Sequence, residues 1–185
     1  MFDHFGFLAP FYERFIKPKA PEQLIQLLQL PSSGSLLDVG GGTGRVSGFL
    51  INQVDQVIVA DLSEKMLLQS QEKDGLEPIC SHAEKLPFAD DQFARVIMVD
   101  ALHHVCDQAE TAREIWRVLK PGGLLVIEEP DIKKWGVKLV ALAEKIALMR
   151  SHFLSPERIG ELYRPFTPNI ELFRDGHISW VVIQK

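Results

Sequence analysis

The chain alternates short apolar runs with stretches in which apolar residues recur every three or four positions. The runs at 35–39, 56–61, 78–81, 94–99 and 124–129 have strand length, and their near-continuous apolar character predicts burial on both faces. Between them, 44–53, 63–73 and 107–120 carry helical spacing. This alternation predicts an α/β fold, a parallel sheet with helices on both faces. Upstream, Pro21-Glu22-Gln23 followed by Leu24, Leu27 and Leu28 predicts a short helix with proline in its first turn, broken by Pro31-Ser32-Ser33-Gly34. The helix at 107–120 has the fullest set of signals. Asp107 and Glu110 form a capping pair, and Ala109, Ala112, Ile115, Trp116 and Leu119 form a buried stripe. Lys120 sits in its last turn, and Pro121-Gly122-Gly123 ends it. Past Glu129 the pattern changes: 135–150 reads as an apolar helix, and Ser155-Pro156-Glu157 opens another. Strand runs at 169–174 and 177–184 meet at Asp175-Gly176, a hairpin signal.

Between the first strand and the first helix lies Asp38-Val39-Gly40-Gly41-Gly42-Thr43-Gly44. Glycines at 40, 42 and 44 allow a tight turn and close approach of backbone to a ligand. A helix starting there would present unpaired N–H groups to a polar or anionic group. Asp61 ends the second strand run, 17 positions after Gly44, where a carboxylate reaches ribose hydroxyls in a nucleotide-binding βαβ unit. These features point to an adenosine-containing small molecule. The dinucleotide pattern G-x-G-x-x-G fails, because its last position is Arg45 counted from Gly40 and Ser47 counted from Gly42. A looser variant (Gly42, Gly44, Gly48) keeps a nicotinamide reading open but weakened.

The segment Asp38–Gly44 resembles the first motif of the class I S-adenosylmethionine-dependent methyltransferases, in the small-molecule subgroup similar to the ubiquinone/menaquinone-biosynthesis enzymes. Four further segments match in order: 57–67 (VIVADLSEKML), 83–93 (AEKLPFADDQF), 96–105 (VIMVDALHHV) and 116–129 (WRVLKPGGLLVIEE). The resemblance implies a Rossmann-like, doubly wound, seven-stranded and mostly parallel sheet of order 3-2-1-4-5-7-6, closed by the C-terminal antiparallel hairpin. It implies S-adenosylmethionine as cofactor and S-adenosylhomocysteine as product. Residues 1–185 then read as a single methyltransferase domain that looks complete, with 1–30 an N-terminal helical segment serving as lid or packing.

The resemblance also assigns roles. Gly40, Gly42 and Gly44 would pass under the methionine part of the cofactor. Asp38 would help hold its amino-acid end, or stabilise the turn electrostatically. Asp61 would accept from the ribose hydroxyls through charge-assisted bonds, or cap the helix beginning near Ser63. Leu62 would lie on an adenine face, and His82, Ala83 and Glu84 would border the ring. Relatives commonly carry Asp at the place of His82, where neutral but not protonated histidine can still accept, so either affinity falls in acid or His82 is a surface residue without ligand contact. Relatives also often carry Asp at Ala94, a loss read as structural. Asp100 to His104 follow the fourth strand, at the carboxyl edge where ligands of open α/β sheets sit. His103 would line the methionine side, with a general base role as one option, and His104 would be structural.

The net charge of −5 argues against nucleic acid, which needs a basic face. Cys80 and Cys106 are isolated, with no metal-ligand or disulfide spacing, which suits a cytoplasmic protein. The N-terminus lacks the build of a signal peptide, and no apolar run spans a bilayer, so stable membrane insertion is not expected. Residues 133–150 carry basic flanks around an apolar stretch, but its apolar residues run almost all round, which favours burial. The first eighteen residues hold Phe2, Phe5, Phe7, Phe11, Phe15 and Tyr12, a helix packed on the core or a lid. The expected activity is methyl transfer to a small or lipid-like acceptor. A non-catalytic cofactor-binding module is the alternative. A nicotinamide reductase ranks behind both, since neither Tyr12 nor Tyr163 has lysine four positions on.

Overall fold

A computed structural model describes residues 21–132 and 152–185. The expected helix at 135–150 and the aromatic N-terminal stretch lie outside them. Strand β1 (Ser35–Val39) is flanked in parallel by β2 (Gln56–Asp61) and β4 (Phe93–Val99). Strands β3 (Leu76–Cys80) and β5 (Leu119–Pro130) extend the parallel sheet on either side. The hairpin of β6 (Ile170–Asp175) and β7 (Ile178–Gln184) closes it, with β7 antiparallel to β5. The order is β3-β2-β1-β4-β5-β7-β6, as the resemblance implied.

The central strands are apolar at most positions, on both faces, because successive side chains enter opposite layers. Leu37, Val96, Ile127 and Val181 pack under α3 (Gln108–Val118) and α4 (Pro156–Tyr163). Leu36, Ile97, Val126 and Trp180 pack with α1 (Glu22–Leu27) and α2 (Glu64–Gln71) on the other face. The caps form as written in the sequence: Asp107 Oδ1 accepts from Glu110 N at 2.9 Å, and Ser155 Oγ accepts from Arg158 N.

Some elements differ from expectation. The stretch 44–53 is not an α-helix. It turns and then forms two 3₁₀ segments, Ser47–Phe49 and Ile51–Gln53, with bonds such as Phe49 N to Val46 O at 3.0 Å. Glycine at 44 has φ +69°, and Gly48 sits inside the segment, where glycine weakens a helix. Helix α3 stops at Val118, so Arg117 and not Lys120 stands in its last turn. Strand β5 begins at Leu119 because that residue already pairs with Phe93, before a register shift restores pairing at Leu124. On α3, Ala112, Ile115 and half-buried Trp116 face inward as expected, and Leu119 is buried just beyond its end. Ala109 is exposed, and Thr111 and Val118 are buried in its stead.

Candidate functional site

A cavity of about 210 Å³ opens at the carboxyl ends of β1, β2 and β4. Of the expected residues, Asp38, Gly40, Gly42, Asp61, Leu62, His82, Ala83, Glu84 and Asp100 line it. Gly44 and His103 do not. Gly44 is required for packing, because a Cβ there would collide with the Leu76 side chain. Ala94, whose Cβ would crowd one on Gly34, lies away from the cavity.

The glycine loop makes the floor. Gly40 has φ +74°, and a Cβ on it would come within 2.6 Å of the Ala101 Cβ. Several of the loop's N–H groups point into the fold: Gly40 N donates to Ala60 O at 2.7 Å, Gly41 N to the same oxygen at 3.4 Å, and Gly44 N to Gly41 O at 2.9 Å. Gly42 N donates to Asp61 Oδ2 at 2.9 Å. These donors are therefore not presented to an anion. Nor does the short 3₁₀ segment sum to the dipole of a regular helix. Four of the loop's N–H groups are thus bonded within the fold, and no α-helix N-terminus follows them.

Asp61 takes the capping position expected for it and adds a bond to the loop. Its Oδ1 accepts from Ser63 N at 2.8 Å, capping α2, while Oδ2 holds Gly42. A carboxylate offers about four acceptor positions, so one backbone donor on each oxygen is compatible with ligand hydroxyls as well. Leu62, 56 % exposed, stands at the rim.

Asp38 is 1 % exposed. Its Oδ2 accepts from Ser47 Oγ at 2.5 Å, and its Oδ1 is buried without a partner. Burial pushes its carboxyl up to about 7, against the pull of the Ser47 bond; the Asp61 charge adds to the rise and Arg45 opposes it. Arg45 lines the same end. Its Nη2 lies 3.5 Å from Asp100 Oδ2, and its Nε is buried without a partner. The sequence reading treated Arg45 only as a failed glycine; its position directly after the motif was the available signal.

On the adenine-expected side, His82 Nδ1 lies 3.8 Å from Glu84 Oε2, and the His82 side chain is 63 % exposed. Glu84 Oε1 accepts from Cys106 N at 2.8 Å and Asp107 N at 3.1 Å, which fixes it as a brace. At the end of β4, Asp100 adopts φ +52°, with its N–H bonded to Glu128 O. Behind it, His103 Nδ1 sits 2.5 Å from Glu129 Oε2, and Glu129 Oε1 accepts from Leu102 N at 2.8 Å. The His103 ring stacks on Phe153 and lies 3.9 Å from the His104 ring. It is His104 that enters the cavity wall, with His103 behind it. Burial and the neighbouring His103 push His104 down to about 3, leaving a neutral imidazole in the wall.

Residues 37–127 match the methyltransferase domain family. The ubiquinone/menaquinone biosynthesis C-methyltransferase of Pseudomonas entomophila is 35 % identical over 115 residues, 57 % of this chain and 45 % of that protein. Its Klebsiella pneumoniae counterpart is 34 % identical over 105 residues, covering 51 % of this chain and 42 % of that protein. The matched stretch thus spans less than half the length of these relatives. Among solved structures, a chain from the complex of the Haloferax volcanii Trm112 methyltransferase activator with a methyltransferase superposes with TM-score 0.81 at 16 % identity. That match covers 98 % of this chain and 97 % of that one. An S-adenosylmethionine-dependent methyltransferase of Thermotoga maritima gives TM-score 0.77 at 23 % identity, covering 98 % of each. With the motifs, the sheet order and these likenesses together, residues 37–127 match a methyltransferase domain and are similar to the class I S-adenosylmethionine-dependent methyltransferases.

Proposed function

We propose that this protein transfers the methyl group of S-adenosylmethionine to a small or lipid-like acceptor. The observation that carries the reading is Asp61, whose carboxylate stands in the cavity wall while bonded to the floor at Gly42 and to the start of α2 at Ser63. A carboxylate held at both oxygens is preorganised to receive two vicinal hydroxyls with little further loss of freedom. The site fits the cofactor in two further respects. The floor at Gly40 has no room for a side chain, and the buried Asp38 Oδ1 lacks the donor that an ammonium would supply.

The cofactor, when bound, supplies a methyl carbon already activated by a sulfonium charge. The chain's own residues then have to align and shield. Alignment of reacting groups contributes roughly 7–11 kcal/mol in well-oriented systems, so no nucleophile or proton-transfer triad is demanded. Asp38, Asp61, Glu84 and Asp100 give the cavity an anionic lining suited to a cationic ligand. Leu62, His82 and Ala83 would border the adenine, and Gly40 and Gly42 would floor the methionyl arm. His104 offers an uncharged wall, and His103 supports it from behind. We take residues 1–185 as one domain acting in the cytoplasm, with 1–30 serving as lid or packing segment. Among the described residues no helix is long and apolar enough to cross a membrane. The relatives named for quinone C-methylation make phenols and quinols the first acceptors to try.

The test is calorimetric titration with S-adenosylhomocysteine, followed by turnover of labelled methyl groups over phenols, quinols and amines. Asp61→Ala should weaken binding at least tenfold, the loss of charge-assisted bonds worth about 1.5–3 kcal/mol each. Unchanged affinity in that variant would remove the basis of the reading, and binding without any turnover would favour a non-catalytic module.

A further inference from the structure

We infer that Glu114 and Arg117 of α3 are positioning residues for the ligand's base: they clamp the stretch 81–90 that walls the cavity, and so set how sharply the site tells one purine from another. Neither side chain lines the cavity itself. The inference rests on the cofactor reading above and assigns what holds one wall of that site.

That wall has no ladder of its own. Between the end of β3 at Cys80 and the start of β4 at Phe93 the chain forms turns and neither helix nor strand, yet Ser81 to Glu84 and Leu86 line the cavity. Backbone polar groups in such a stretch must find partners elsewhere. Helix α3 serves the stretch at both ends. At its start, Glu84 is braced on Cys106 N and Asp107 N. Nearer its end, the pair takes both backbone polar groups of Leu86. Glu114 Oε2 accepts from Leu86 N at 2.9 Å, and Arg117 Nη2 donates to Leu86 O at 3.1 Å. Arg117 Nη1 also donates to Phe88 O and to Asp90 Oδ1, each at 2.8 Å. Leu86 itself is buried, its side chain shared between the cavity wall and the core.

The pair is built to hold one geometry. Arg117 Nε donates to Glu114 Oε1 at 2.8 Å and Nη2 to Glu114 Oε2 at 2.9 Å, a planar fork that lysine does not make. The Arg117 bond holds the Glu114 carboxyl below its ordinary range, and the Glu114 bond holds the guanidinium above its own, so both stay charged. Arg113, four positions earlier, shows the contrast. It spends its guanidinium on Glu110 of the same helix, where both side chains are exposed. The sugar anchor is fixed separately, since Asp61 is held by Gly42 N and Ser63 N. Slackening the clamp therefore loosens the base end of the site and leaves the sugar end in place. Telling an amino group from a carbonyl at one ring position requires hydrogen-bonding groups held still, because a slack wall adapts to either.

The experiment measures, by calorimetry on the full chain, the ratio of affinities for S-adenosylhomocysteine and S-inosylhomocysteine, whose base carries a carbonyl in place of the amino group. The unaltered protein should prefer the first by about tenfold or more. Arg117→Met should weaken the first ligand and shrink that preference to about threefold or less. A variant that only destabilises the fold lowers the competent fraction for both ligands alike and leaves the ratio unmoved, so the ratio reads positioning. Arg117→Lys, a point charge without the fork, should fall between, and Arg113→Met should keep the ratio within about twofold of the parent. If Arg117→Met does not fold, Glu114→Gln, which keeps an oxygen for Leu86 N but loses the charge that aims Arg117, should shrink the ratio in its place. An unchanged ratio in the folded variant, an equal loss in Arg113→Met, or an unaltered protein indifferent to the base overturns the inference. Failure of the unaltered protein to bind either ligand would instead overturn the cofactor reading itself.

Discussion

Asp38 faces two opposed demands. Its place at the end of β1 buries it completely, which penalises the ionised form, while the cavity it lines calls for a negative charge. Burial dominates, and the carboxyl rises from 3.8 to about 7, with Ser47 and Arg45 pulling down and Asp61 pushing up. A carboxyl raised on folding binds its proton more tightly in the folded state. Its contribution to stability is therefore greatest below about pH 4 and disappears as pH climbs through about 7. Urea unfolding should show the protein losing a few kcal/mol relative to Asp38→Asn between those limits, because the amide does not titrate. An ammonium ligand reverses the preference. Affinity for S-adenosylhomocysteine should thus rise as pH passes upward through 7, and this rise should be flat in Asp38→Asn. The sequence reading attached acid sensitivity to His82, whose side chain is mostly exposed beside Glu84, whereas Asp38 is the buried carboxyl in the cavity wall. Asp38, Asp61 and the glycines were legible because their spacing is a local property of one βαβ unit. Arg117 was not, since its significance comes from carbonyls of a distant loop that only the fold brings to it, and these leave no trace in spacing.

Among the elements, strands were read best and the first crossover worst. Strands β1 and β2 fell on their expected residues because both faces are buried, and a continuous apolar run has few other uses. Segment 44–53 also carries helical spacing, yet it folds as 3₁₀ turns. Gly44 shows what tertiary context added. At φ +69° it hands the chain into the crossover, and the space where a Cβ would stand is filled by Leu76 from β3 and Ser70 from α2. Gly44→Ala should accordingly lose about 2–4 kcal/mol, combining a disfavoured backbone with overpacking. Thermal unfolding reads that loss. Since Gly44 is outside the cavity wall, affinity measured well below the midpoint should stay within about twofold of the parent. A large affinity loss at full folding would return Gly44 to the role its motif suggested. The end of α3 makes a related point. Pairing of Leu119 with Phe93 draws the chain into β5 before the Pro121-Gly122-Gly123 signal is reached. A long-range strand contact thereby overrides a local stop.

At the scale of the whole molecule, the C-terminal hairpin and the site are parts of one polar construction across the sheet. Strand β7 lies against β5, whose end carries Glu128 and Glu129 on opposite faces. Trp180 Nε1 donates to Glu128 Oε2 at 2.6 Å, and Ser179 Oγ donates to Glu129 O at 3.1 Å. Glu129 in turn grips the loop after β4, through Leu102 N and the His103 ring, and His103 stacks against His104 in the cavity wall. The hairpin thus supports the wall through a buried carboxylate. Glu129 is 3 % exposed and His103 is 4 % exposed, so removing one partner strands the other away from water. Buried pairs broken on one side cost about 3–5 kcal/mol, whereas replacing both partners by apolar residues of like size is often neutral. Glu129→Leu should therefore be strongly destabilising in urea unfolding, and Glu129→Leu with His103→Leu should recover a large part of the loss. The Leu102 N–H orphaned in both variants keeps recovery incomplete, by about 1–3 kcal/mol. If the double variant is less stable than the single by the full cost of a second core substitution, the two side chains contribute independently, and the link from hairpin to wall does not run through this pair.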